Sequence, residues 1–125
     1  MITGSVDGEW QAWVRLGIRS RAGQEQELTA VLDTGFTGAL TLPPARIAAL
    51  GLPWRTRGSA ILANGAEDRF DIYAAVVIWD GRPRHILIEA ADTEPLVGMG
   101  LLNGYEILLQ AVPGGLVQIQ PLGRT

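Results

Sequence analysis

Few residues in this chain have the makings of chemistry, and their surroundings narrow the choice further. Asp33-Thr34-Gly35 closes the apolar run Ala30-Val31-Leu32 and is followed by Phe36 and then by Leu40-Thr41-Leu42. A carboxylate held where a strand leaves the core can take a proton from water and return one to a leaving group, provided that a second acid stands close by. The same tripeptide also has a plain reading as a tight turn, in which Asp accepts backbone N–H bonds and Gly supplies positive φ. His85 is the sole histidine, too few imidazoles for the usual multi-histidine zinc sphere. Without cysteine there is no thiol nucleophile, thiolate ligand or disulfide. Ser5, Ser20 and Ser59 lie outside any G-x-S-x-G turn, which leaves a serine-histidine mechanism unsupported. The stretch Gly98 to Gly104 imitates a phosphate-cradling loop, but too little chain follows for a βαβ dinucleotide unit. Neither a metal nor a cofactor is expected.

The elements that must position Asp33 are strands. Trp10, Ala12, Val14, Leu16 and Ile18 alternate with Gln11, Arg15 and Arg19, the pattern of a half-buried strand. Turn chemistry around Gly23 leads to a second alternation, Leu28, Ala30 and Leu32, so the two arms predict a hairpin ending at Asp33. Ala39 to Leu42 predicts a short strand. Pro43-Pro44 and Gly51 bracket a helix of about two turns, because proline suits the first turn and glycine the left-handed cap. Asn64-Gly65, tolerant of positive φ, predicts a hairpin between Thr56–Ala63 and Asp68–Trp79. Asp80-Gly81 and Pro113-Gly114-Gly115 mark further turns among the strands Arg84–Ala90, Tyr105–Gln110 and Leu116–Leu122. Many short strands with one or two short helices predict a mostly-β, closed, barrel-like domain over residues 1–125.

Composition removes several function classes. The chain has 125 residues, a formal net charge of −3 and no lysine, and its arginines are scattered, so no basic stripe tracks a nucleic acid. No uninterrupted apolar stretch approaches a membrane span, and the first residues lack an export signal. A soluble, cytoplasmic protein without membrane or nucleic-acid partners is expected.

The ordered set Asp33-Thr34-Gly35, the hairpin at Leu62, Ala63, Asn64, Gly65 and Ala66, and the apolar-apolar-glycine element Leu96-Val97-Gly98 resembles the retropepsin-like (clan AA) aspartic peptidases. The likeness is to single-domain prokaryotic members whose motif reads D-T-G-F, with Phe36 in the fourth place. It covers most of the chain, from Trp10 to Gln120, and implies a retropepsin-like barrel. It further implies a catalytic Asp33, supporting roles for Thr34 and Gly35, and a substrate-covering flap at Leu62–Ala66. Leu96-Val97-Gly98 would brace the catalytic loop. Phe36 and Gly100 depart from better-known members, which carry a small and a polar residue there.

Two close carboxyls cannot both ionise cheaply, so they share a proton and divide the roles of acid and base. This chain has only one Asp-Thr-Gly; Asp92-Thr93 lacks the glycine, and Asp7-Gly8 and Asp80-Gly81 lack the hydroxyl. The implied enzyme is therefore a homodimeric aspartic endopeptidase acting on extended peptides, with one Asp33 from each subunit at the two-fold axis. The terminal strands, residues 1–6 and 116–122, would pair across that dimer. The competing reading is a catalytically silent dimeric module that binds peptides or serves assembly on the same fold. An unrelated β-barrel binding domain is a third.

Overall fold

The computed structural model of the chain describes residues 1–123. After strand β1 (Ile2–Val6), the expected hairpin forms from β2 (Ala12–Arg19) and β3 (Glu25–Leu32), paired from Trp13↔Val31 to Arg19↔Glu25. Ala12, Val14, Leu16 and Ile18 are all buried. Trp10 departs from the expected alternation: it lies outside the strand, has φ of 60° and is 67% exposed. The cause is local. The Asp7 carboxylate accepts bonds from the Glu9 and Gln11 amides and from Trp13 Nε1, at 2.8–2.9 Å, which curls residues 7–11 into a turn. The Trp13 and backbone donors hold the Asp7 carboxyl below its ordinary range.

Strand β4 (Leu40–Leu42) leads into helix α1 (Pro44–Leu50), which begins on proline and ends on Gly51 at φ 68°. The long hairpin consists of β5 (Trp54–Ile61) and β6 (Glu67–Trp79), and β7 (Arg82–Ala90) returns along β6. Both turns fall where the sequence predicts them and differ from each other in kind. Asp80 and Gly81 both take positive φ, 54° and 77°, and form the tight two-residue turn between Trp79 and Arg82. At Asn64-Gly65 only the glycine does so, at φ 84°. There the Leu62 amide donates to Ala66 O at 2.8 Å across the three-residue loop Ala63–Gly65, and Asn64 Oδ1 accepts from the Ala66 amide at 2.9 Å. The remaining elements are β8 (Leu96–Val97), α2 (Met99–Leu102), β9 (Tyr105–Leu109) and β10 (Leu116–Pro121).

The strands join in the order β5-β6-β7-β4-β8-β3-β2-β1-β10-β9, with an additional β6–β2 pairing. That pairing, Gly17↔Ile78 and Ile18↔Val77, closes β2, β3, β8, β4, β7 and β6 into a ring. The expected barrel thus takes the form of an uneven ring, since β8 has two residues and β4 three. β3–β8 and β4–β7 are parallel, whereas the other pairings are antiparallel. Inside sit Leu40, Leu42, Val77, Trp79, Ile88, Val97 and Leu101. Trp79 meets Tyr105 edge to face with ring centroids 6.0 Å apart.

The terminal strands are engaged within the chain, contrary to the cross-subunit pairing expected of them. β1 pairs with β10 from Ile2↔Ile119 to Ser5↔Leu116, and its other edge pairs with β2. The second edge of β10 is taken by β9. Neither terminal strand therefore offers a free edge to a partner.

Leu40 is fully buried where β4 is held between β7 and β8. Leu40→Ala is expected to lower the unfolding free energy by about 2–5 kcal/mol, read as a reduced urea midpoint at an unchanged denaturant slope.

Candidate active site

Asp33 is the first residue beyond β3, and its position follows from the pairing of that strand. Val31 and Leu32 lie parallel to Leu96 and Val97. The Val31 amide donates to Pro95 O, and the Asp33 amide donates to Val97 O, both at 2.9 Å. β8 is in turn pinned from the other side, where Leu40 pairs with Val97 and the buried Thr41 Oγ1 accepts from the Leu96 amide at 3.0 Å. The strand ending in the carboxylate is thus fixed on both sides by main chain.

The turn itself contains the hydrogen bonds of its plain reading. Asp33 Oδ1 accepts from the Gly35 amide at 2.9 Å, and Asp33 O accepts from the Phe36 amide at 3.1 Å. Asp33 is half-buried while Thr34 and Gly35 are exposed. The cap occupies one carboxylate oxygen and fixes the plane of the group, which leaves Oδ2 for an external partner.

The loop beyond the turn is stitched to the following element. Gly98 N donates to Ala39 O at 3.0 Å, Met99 N to Phe36 O at 2.8 Å and Gly100 N to Gly38 O at 3.0 Å. Such an approach of two backbones leaves no room for a side chain. A Cβ on Gly98 would collide with Gly38 O and with the Phe36 ring and carbonyl, and one on Gly100 would sit 3.0 Å from Gly38 C and O. Gly100 is therefore a packing requirement of the loop. Gly38 is a residue that sequence reasoning missed: a Cβ there would meet the Phe36 ring and the Glu89 carboxylate. Its only signal was a second glycine soon after Gly35.

Phe36 has two roles. Its ring covers Gly38 and Gly98, and it also lines a groove of about 520 Å³ shared with Thr41, Phe70, Asp71 and Glu89. Asp68 and Arg69, just beyond the tip on the second arm of the long hairpin, line the same groove, so this arm and the Phe36 loop face one space. Asp33 and the tip residues Leu62, Ala63, Asn64, Gly65 and Ala66 are not among its walls; the five tip residues are all exposed. Of the expected site residues, Asp33 is joined to Val97 through the main chain, Thr34 and Gly35 are exposed in the turn beyond it, and the hairpin tip is exposed. Partial burial raises the Glu89 carboxyl above its ordinary range.

The fold is similar to the crystal structure of a retropepsin-like aspartic protease from Rickettsia conorii, with a TM-score of 0.61, 97% of this chain and 90% of that chain covered, and 12% sequence identity. At this identity the likeness is one of fold: the chain has a mostly-β, retropepsin-like architecture. No family model matches the sequence, and no curated protein matches it.

Two tests follow from the loop. Gly98→Ala should destabilise the protein by about 1–3 kcal/mol, seen as a lower melting temperature. Adding Phe36→Leu should not restore stability, because a backbone carbonyl also stands in the way. For Glu89 the raised folded-state pKa means that its contribution to stability is present below the ordinary glutamate range and is lost as pH rises through the raised value. Glu89→Gln is accordingly expected to melt higher than wild type at neutral pH, with the difference vanishing below about pH 4.

Proposed function

We propose that the protein is an aspartic endopeptidase that works as a homodimer, Asp33 from each subunit meeting at a two-fold axis to form the catalytic pair. The observation that carries this reading is the backbone stitching that presents Asp33 on a rigid loop, within a fold like that of an aspartic protease. One carboxylate takes a proton from a water molecule as that water attacks the peptide carbonyl. The other carboxyl, protonated, donates to the carbonyl oxygen and the proton is later passed to the leaving nitrogen. No covalent intermediate is needed. The pair titrates as a unit, so the pH dependence of turnover belongs to both groups together.

The other residues take supporting parts. Thr34, exposed beside Asp33, would join the paired loops through its hydroxyl, and Gly35 would let substrate approach without a Cβ in the way. An extended peptide would lie along the groove floored by Phe36 and add main-chain bonds to the sheet. The hairpin tip at Leu62–Ala66 would close over it and exclude water. Leu96, Val97 and Gly98 act through the loop that they hold.

The test is cleavage of a diverse peptide library across acid to neutral pH, with Asp33→Asn beside wild type. Wild type should cleave, and the variant should lose turnover by at least about 1,000-fold while keeping its melting temperature and its sedimentation as a dimer. Retained cleavage by Asp33→Asn would exclude the mechanism. A dimer that binds peptides without cleaving them would instead identify a silent binding module.

A further inference from the structure

On the outer face of the sheet, toward the far end of β3 from Asp33, lies a cavity of about 480 Å³ that the proposed reaction does not use. Cross-strand register builds its floor. Ala74 stands opposite Leu87 and Val76 opposite His85 on β6 and β7, and the Ile18↔Val77 pairing sets Arg19 beside Val76. Leu52 extends the floor, and the Ala74 amide donates to Pro53 O at 3.0 Å, which holds that wall against the sheet. The facing wall is the turn from Ser20 to Gly23, tied to α1 by the bond from the Arg21 amide to Leu50 O at 2.8 Å. Both walls are thus fixed by main-chain bonds, and the cavity is preformed. The eight residues of β3, at about 3.4 Å each, separate it from the Asp33 end by roughly 27 Å.

Charge distinguishes this cavity from an ordinary surface hollow. Arg19, Arg21, Arg55 and His85 surround the apolar floor, and among the described residues no carboxylate lines it. None of the three arginines is ion-paired among the described residues, although Glu25 faces Arg19 across the β2–β3 ladder. In a chain of net charge −3, gathering three of the ten arginines around one cavity concentrates positive potential where the rest of the molecule has little. The guanidinium fork matches a carboxylate in two-point geometry. The floor, made by Leu52, Ala74, Val76 and Leu87, is aliphatic and offers no ring for stacking. A size of this order is ordinary for a small-molecule site.

We infer that this cavity binds a small amphiphilic anion: an aliphatic carboxylate whose chain lies on Leu52, Ala74, Val76 and Leu87 and whose head group is held by Arg19, Arg21 and Arg55. A bare inorganic anion would leave the floor uncovered, and an uncharged chain would leave the arginines without a counter-charge. Both parts of the ligand are required.

The experiment is titration of the full-length, nitrogen-15-labelled protein with octanoate below its micellar concentration, followed by amide shifts and calorimetry. Saturable shifts centred on Ala74–Val76 and His85–Leu87 are expected. The double variant Arg19→Gln, Arg55→Gln should weaken binding by about tenfold or more, and Leu87→Asn should weaken it through the floor. Arg82→Gln, outside the cavity, should leave the affinity unchanged. Octanol and inorganic phosphate, run as separate arms, should each bind at least about tenfold more weakly than octanoate. Absence of shifts at these residues, equal binding of octanol or of phosphate, or an unchanged affinity in the double arginine variant would each overturn the inference.

Discussion

The organising constraint of this molecule is the close approach of two backbones, residues 33–39 and 97–100, joined by main-chain hydrogen bonds from Asp33 N, Gly98 N, Met99 N and Gly100 N. Side-chain contacts can be traded for others of similar volume, but a main-chain ladder at this separation tolerates only glycine where the chains cross. Gly98 and Gly100 meet that condition, and Gly38 leaves the space that the Phe36 ring and the Glu89 carboxylate occupy. The consequence reaches Asp33, whose own amide belongs to the same set of bonds. Its carboxylate is oriented by peptide groups that cannot change rotamer, which is the kind of support a proton-transfer group needs if it is to meet a partner at a defined distance.

The ring of strands sets the surroundings of that loop. Because β8 reaches β3 in parallel and β4 in antiparallel, the two-residue strand acts as a bridge between the halves of the ring. Phe36 then converts rigidity of the loop into shape, since the ring that fills the space above Gly38 and Gly98 is also a wall of the adjoining groove. Glu89 and residues 68–71 of the long hairpin complete that wall. Loop geometry and groove shape are therefore coupled through one side chain.

Much of this was legible in the order of residues, for identifiable reasons. Strand β2 announces itself because one face is uniformly apolar while the other carries Arg15 and Arg19, and α1 because proline and glycine mark both ends. Asp33, Leu96, Val97 and Gly98 could be named together only through resemblance, since their proximity depends on a parallel pairing between segments far apart in sequence. Strand β6 hides its inner face, because Ala74, Val76 and Ile78 are as apolar as Ala75, Val77 and Trp79, and only the latter are buried. Trp10 misled because a hydrogen-bonded turn at Asp7 overrides the alternation. The loop at Asn64 could not be typed because an Asn-Gly pair serves in loops of two or three residues alike. The arginine-rimmed cavity draws on four separate segments and has no linear signature at all.

The interlocking of β1 with β10 has a further bearing on how copies of the molecule could meet. Each of these strands has both edges paired within the chain, so this part of the sheet is closed without a partner. The association proposed above would use another surface, and its extent would be set by abundance through mass action. Any chemistry that needs two copies would then stay silent in dilute surroundings and switch on with accumulation.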